Sequence, residues 1–319
     1  AAGLSADDAA LLTDSILFAE CRGVTSHGLL RLPQYIARLR SGATAMNVPM
    51  PFTMESGGTA RLDAQNGLGQ LAGRKASDKA EELAAEYGVS FVAVANSNHF
   101  GTGAWYAIPA ARRGFFAFNI SSAASAMAPH GAAQPLLGTD PVGLALPRGE
   151  GKAPLALDMA LSTAARGKIR YAALNGTPIP ETWGLDAHGA PTTDAAAVLD
   201  GSGLAIFIEL LCAVLTGSGA LGGTGLLSDL SRPAGTGHIF GCVDIKRFLP
   251  LETFEALCEE SLSHVTSLTP AQPGGEILLP GEPEERRAAE SAANGVPVAP
   301  ALRDTLNALA EELGCAARI

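Results

Sequence analysis

The sequence predicts an α/β protein in which a central mixed sheet, not a Rossmann fold, is flanked by helices from both ends of the chain. Three observations lead there. Apolar residues recur at helical spacing near both termini. Between residues 115 and 147 short apolar runs alternate with Gly, Pro, Ser and Asn, as strands joined by functional loops do. The one segment that invites a dinucleotide-type βαβ reading, residues 58–95, misses the fingerprint.

Taken in order, Ser5 and Asp8 resemble a capping box, and Ala9, Leu12, Ile16, Leu17 and Ala19 give a helical stripe ending near Arg22. Leu29, Leu32, Ile36 and Leu39 form a second stripe that Gly42 stops, with Pro33 implying a kink or a fresh start. If Ser26 caps that helix, His27 and Arg31 fall four apart on one face. A strand at Ala60 to Leu62, glycines at 67, 69 and 73, a helix from about Gln70 to Tyr87 and a strand from Val89 to Ala95 follow. A Rossmann fingerprint wants tighter glycine spacing and an acidic residue closing the second strand, whereas this strand runs into Asn96, Ser97 and Asn98. Leu155 to Ala160 reads as a strand, Leu204 to Thr216 as a buried helix, Ile239 to Ile245 as a strand and Leu251 to Ser263 as an amphipathic helix. Residues 283–295 and 299–313 read as closing helices, the last striped by Leu302, Leu306, Leu309 and Leu313. The expected division is an N-terminal helical segment over 1–46, a central sheet region over 47–245 and C-terminal helices over 246–319 that pack back on the first.

Composition narrows the function. With 319 residues, 47% hydrophobic and 17% charged, the chain reads as an ordinary soluble globule. A net charge of −10 argues against a nucleic-acid partner, since no basic cluster exists to displace counterions from phosphates. The longest apolar run, Leu204 to Leu215, is broken by Glu209 and falls short of the roughly 18 residues that span a bilayer, so no membrane is expected. Five scattered cysteines without C-x-x-C or metal-ligand spacing read as free thiols in a reducing cytoplasm and give no metal site; no signal peptide is read.

An acidic protein that takes an anion must concentrate positive charge locally, which gives weight to Arg22, Arg31, Arg166 and Lys168. The stretch from Arg22 to Arg31 places Ser26, His27 and two guanidinium groups within ten residues. Imidazole titrates near neutrality and guanidinium matches a carboxylate bidentately, so this is a kit for moving a proton beside a bound carboxylate. The bland alternative is a histidine that only starts a helix.

Further segments follow in order: Ser97-Asn98-His99-Phe100-Gly101, Ala128-Pro129-His130-Gly131, Gly138-Thr139-Asp140-Pro141, Leu157 to Ser162, Ala165-Arg166-Gly167-Lys168 and Pro280 to Glu284. As an ordered set, from about residue 5 to 310, they resemble the type 2 malate/L-lactate dehydrogenase family. That family includes ureidoglycolate and sulfolactate dehydrogenases, diketogulonate reductase and reductases of cyclic imine carboxylates. The resemblance implies a homodimer and an NAD(P)H-dependent hydride transfer to C2 of a small carboxylate, with NADPH favoured over NADH. It implies Ser26 and His27 as the proton-delivery pair, Arg31 and Thr139 as substrate ligands, and Arg166 and Gly167 near the substrate. It places the cofactor against His99, Phe100, Gly101, Thr102 and Gly103, against Asp158, Met159 and Ala160, and beyond Pro280, where Arg286 or Arg287 meets a phosphate. Asp158 is read as both catalytic and cofactor-facing, or else as a turn cap, and the arginines as phosphate ligands or else solvent-facing.

One departure stands out. Family members carry a G-x-K-G loop before the buried helix, whereas Leu199-Asp200-Gly201-Ser202-Gly203 runs straight into it. Loss of that cofactor contact leaves open a non-catalytic binding protein on the same scaffold. For the substrate, His130 resembles the cyclic imine reductases and narrowly favours a Δ1-piperideine- or Δ1-pyrroline-2-carboxylate reductase over a malate/lactate-type enzyme.

Overall fold

The computed structural model describes residues 2–127, 135–162, 176–180, 193, 203–219, 221–271, 274–316 and 319. Helix α1 (Ala6–Cys21) starts at Ser5, whose hydroxyl accepts from the Asp8 amide at 3.1 Å, and buries Leu12, Ile16 and Ala19. The second helix does not start at Ser26. Thr25–His27 and Leu29–Arg31 are two 3₁₀ turns, and α2 (Leu32–Ser41) follows with Pro33 in its first turn, where no intrahelical amide bond is needed. Ser26 is thereby left to bond its neighbour instead of capping.

Strands β1 (Phe52–Ser56), β2 (Thr59–Asp63), β3 (Phe91–Ser97), β4 (Phe115–Ser121), β5 (Val142–Leu146), β6 (Leu155–Met159) and β7 (Thr236–Asp244) form one sheet, ordered β1-β2-β3-β7-β4-β5-β6. Among these, β2 and β3 alone pair in parallel, so the expected mixed, non-Rossmann sheet is what forms. Helix α3 (Gly69–Tyr87) crosses between them, with Ala72, Ala76, Ala80 and Ala84 fully buried at one-turn spacing, small enough to seat the helix close on the sheet. The glycines of the near-miss fingerprint serve that packing. A Cβ on Gly69 would stand 2.2 Å from the Asn98 carbonyl oxygen and 2.5 Å from that of His99, so the start of α3 rests against the backbone of the His99 loop.

Helix α4 (Ala104–Arg112) was not read from the sequence, because nearly all its residues are buried and no amphipathic stripe results. Helix α5 (Gly203–Glu209) continues into a π turn, Leu210–Val214. It is buried on one side only: Ala205, Ile208, Cys212 and Ala213 face inward, while Phe207, at 68% exposure, Val214 and Leu215 face out. Helices α6 (Leu251–Thr266), α7 (Glu282–Asn294) and α8 (Pro300–Glu312) close the chain. The two ends meet: Arg22 pairs with Glu285 of α7 at 2.5 Å, and the Ser291 hydroxyl donates to the Cys21 carbonyl at 2.8 Å. That pairing makes Arg22 a staple between α1 and α7.

Candidate active site

The two 3₁₀ turns present Ser26 and His27 against the end of β3. Ser26 Oγ lies 2.9 Å from His27 Nδ1. Arg31 folds back so that Nε donates to the Ser26 carbonyl at 2.7 Å and a terminal nitrogen donates to Gln34 at 2.9 Å. The pair therefore shares one local unit without the helical face the spacing suggested. Glu20 anchors the turn from α1 by accepting from the Leu29 amide at 2.7 Å, and Gly28 leaves room for that carboxylate.

His99 stacks on His27 with ring centroids 5.3 Å apart and planes 23° apart. Its Nδ1 lies 2.7 Å from the Tyr35 hydroxyl and accepts from the Gly101 amide at 3.3 Å. An amide can only donate, so the neutral ring carries its proton on Nε2. Burial, reinforced by the Arg31 charge, lowers the His27 pKa to about 4. Burial and the charges of His27, Arg31 and His238 push His99 well below its usual value. Both imidazoles are neutral at pH 7.

Two residues that the sequence did not single out fix this arrangement. Tyr35, buried on α2, is the first. His238 is the second: fully buried in β7, it faces Ser121 Oγ at 2.7 Å, Ser97 Oγ at 2.8 Å and the Asn98 carbonyl at 3.1 Å, and it stacks on Phe100 at 4.8 Å. It thus grips both sides of His99. The available signal was a histidine inside the apolar strand Thr236 to Val243. Arg38 adds a second clamp, donating to Asn98 Oδ1 at 3.2 Å and to the Ala43 and Arg232 carbonyls at 3.0 and 3.2 Å.

Beyond Gly103, Asp158 at the end of β6 accepts from the Ala104 amide at 2.9 Å and so caps α4. Its side chain opens to solvent, yet crowding by protein raises its pKa to about 6 against the lowering effect of the Ala104 and Gly103 amides. Thr139 is half-buried, its carbonyl accepting from Leu161 at 2.8 Å. Met159 is exposed. Arg286 is exposed and paired with Glu276, while Arg287 covers Gly23. His130, Arg166, Gly167 and the shortened loop at 199–202 lie outside the described residues. A groove of about 560 Å³ lined by Leu11, Phe18, Arg74 and Trp105 contains none of the candidates.

A nicotinamide dinucleotide needs backbone it can approach closely and polar atoms to meet. Gly101 sits at φ +83°, and a Cβ on Gly103 would stand 2.5 Å from Asn119 Oδ1. Thr102 Oγ1 and Asn119 Oδ1 are buried without a hydrogen-bond partner among the described residues. The segment from His99 to Gly103 fits such a group.

A family model described as malate/L-lactate dehydrogenase matches residues 1–307. The L-sulfolactate dehydrogenase of Methanocaldococcus jannaschii is 35% identical over 98% of this chain and 92% of its own length. A solved structure of sulfolactate dehydrogenase from that organism superposes with a TM-score of 0.91 at 33% identity, covering 98% of this chain and 93% of that one. The (2R)-3-sulfolactate dehydrogenase (NADP(+)) of Chromohalobacter salexigens is 38% identical over 82% of each chain. The structure of Δ1-piperideine-2-carboxylate reductase from Pseudomonas syringae superposes with a TM-score of 0.85 at 29% identity, covering 97% and 94%. The chain belongs to the malate/L-lactate dehydrogenase family and is an NAD(P)-dependent dehydrogenase.

Proposed function

We propose that the protein interconverts a small 2-hydroxy acid and its 2-oxo acid, taking the sulfolactate and malate dehydrogenases as the guide to substrate class. The stacked His27 and His99 beside Arg31 is the observation that carries this reading. In the oxidative direction neutral His27 takes the hydroxyl proton, with Ser26 orienting the ring, and Arg31 and Thr139 hold the carboxylate. In the reverse direction His27 returns that proton to the substrate oxygen, and a carboxylate on Arg31 offsets the Arg31 charge, the lesser of the two effects that depress the imidazole.

The nicotinamide dinucleotide supplies the hydride chemistry when bound. His99 to Gly103, Asp158 to Ala160 and Arg286 are the residues proposed to hold it, with NADPH preferred. Arg166 and Gly167 complete the substrate side. The exposed apolar face of α5, with Phe207, Val214 and Leu215, suits a second copy of the chain, and we propose a homodimer. The described helices include none long and apolar enough to cross a membrane, and Cys21, Cys212, Cys242 and Cys258 form no disulfide, as suits the proposed cytoplasmic setting.

The second reading, a cyclic imine reductase, rests on His130 in Ala128-Pro129-His130-Gly131. The deciding assay follows NADPH and NADH absorbance with 3-sulfopyruvate, oxaloacetate, pyruvate and Δ1-piperideine-2-carboxylate. Oxidation with the oxo acids is expected. Oxidation with the imine alone would replace the first reading by the second, and silence with all four would overturn both.

A further inference from the structure

Two carboxyl groups with no part in that scheme are buried against the loop that carries Thr139. Asp140 is 0% exposed and Glu209, the last residue of α5, is 1% exposed. Each uses one oxygen on the polypeptide: Asp140 Oδ1 accepts from the Ala123 amide at 3.0 Å, and Glu209 Oε1 accepts from the Gly138 amide at 3.1 Å. Both converge on Gly138, where a Cβ would stand 2.3 Å from Asp140 Oδ1. Their other oxygens, Asp140 Oδ2 and Glu209 Oε2, are buried with no hydrogen-bond partner among the described residues. Neither acid is in an ion pair among the described residues.

An ionised carboxylate in such a setting has exchanged its hydration for backbone amides alone, and two of them repel. The cheaper state keeps a proton on the pair. The loop itself needs holding. Asp140 sits at φ +32°, in the left-handed region that a non-glycine residue occupies at a cost, immediately before Pro141. The Ala123 and Gly138 bonds from the two acids, with the Leu161 bond to Thr139, are what fix it.

We propose that Asp140 and Glu209 are positioning residues that as a pair retain one proton, and that this proton keeps the Gly138–Thr139 loop in its substrate-binding geometry. The proposal rests on the reading of Thr139 as a substrate ligand. Burial first, and the Glu209 charge second, raise the Asp140 pKa to about 8, while burial raises Glu209. The π turn brings one further titratable neighbour, Cys212, whose thiol burial and these two acids push up. From β7 and the end of β4, Gly237 and Ser122 bring no charge. Raising the pH past about 8 therefore ionises the pair, the two charges repel, and the loop loses its shape.

The test combines an infrared titration of the substrate-free protein with a pH profile of KM. A protonated-carboxyl carbonyl band is expected at neutral pH, vanishing as the pH rises through about 8. KM for the oxo acid should rise about tenfold between pH 7 and 9, following the loss of the protonated form, and this rise should be absent in Asp140→Asn. Glu209→Gln, which leaves Asp140 without a like charge beside it, should move the band's midpoint to lower pH, and it serves as the second variant if Asp140→Asn does not fold. Absence of the band at pH 7, or an alkaline KM rise that persists in Asp140→Asn, would overturn the proposal. If no oxo acid is turned over at all, the substrate reading fails, while the infrared titration, which needs no substrate, still decides whether the pair holds its proton.

Discussion

His27 and His99 arrive at one another from a 3₁₀ turn and a strand end, and each is held by a different partner, Ser26 for one and Tyr35 for the other. Arg31 is placed by its bonds to the Ser26 carbonyl and to Gln34. A lysine has no fork to reproduce those bonds and a bidentate carboxylate contact together, so Arg31→Lys should raise KM for the oxo acid about tenfold or more, with a smaller effect on kcat, in steady-state kinetics. Tyr35→Phe should remove the hydroxyl from His99 Nδ1 and lower stability by about 1 kcal/mol in denaturant titration. The Ser26, His27 and Arg31 set was legible in the sequence because its contacts span a few residues. His99 was legible only through resemblance, and Tyr35 and His238 not at all, since their bonds join segments far apart in the chain.

Elements with a one-sided apolar pattern were read nearly to their observed ends, as α1 and α3 show. Patterns failed where burial is total or shared. Helix α4, enclosed on nearly every side, shows no stripe, whereas β7 is legible as a strand over Ile239 to Ile245 and only its insertion at the sheet centre between β3 and β4 appears in no local pattern. Its insertion depends on Gly237, where a Cβ would stand 1.6 Å from the Cys212 carbonyl oxygen of the π turn. Gly237→Ala should force β7 and that turn apart and cost about 1–3 kcal/mol, read as a lower midpoint in chemical denaturation.

Across the whole molecule, three depressed imidazoles tie stability to pH. Unfolded histidine takes its proton near pH 6.5, whereas His27 does so at about 4 and His238 at about 3 in the fold, for both because burial disfavours the cation. The unfolded chain therefore binds more protons in that window, so stability is full above about pH 6.5 and is lost as the pH falls towards 3. Thermal melts should fall steadily over that range, and His238→Gln should lessen the slope; a melting temperature flat from pH 6.5 to 4 would contradict the neutral, buried histidines. The proposed homodimer makes its own prediction at the exposed face of α5: Phe207→Glu should lower the sedimentation coefficient towards that of a monomer relative to the unsubstituted protein.

In the proposed reaction His27 moves the proton while the cofactor carries hydride. Its most direct measurement is kcat for His27→Gln alongside NADPH binding followed by nicotinamide fluorescence. A fall in kcat of about a hundredfold or more, the range of acid–base catalysis, is expected, with cofactor affinity nearly unchanged. Wild-type turnover in that variant would contradict it.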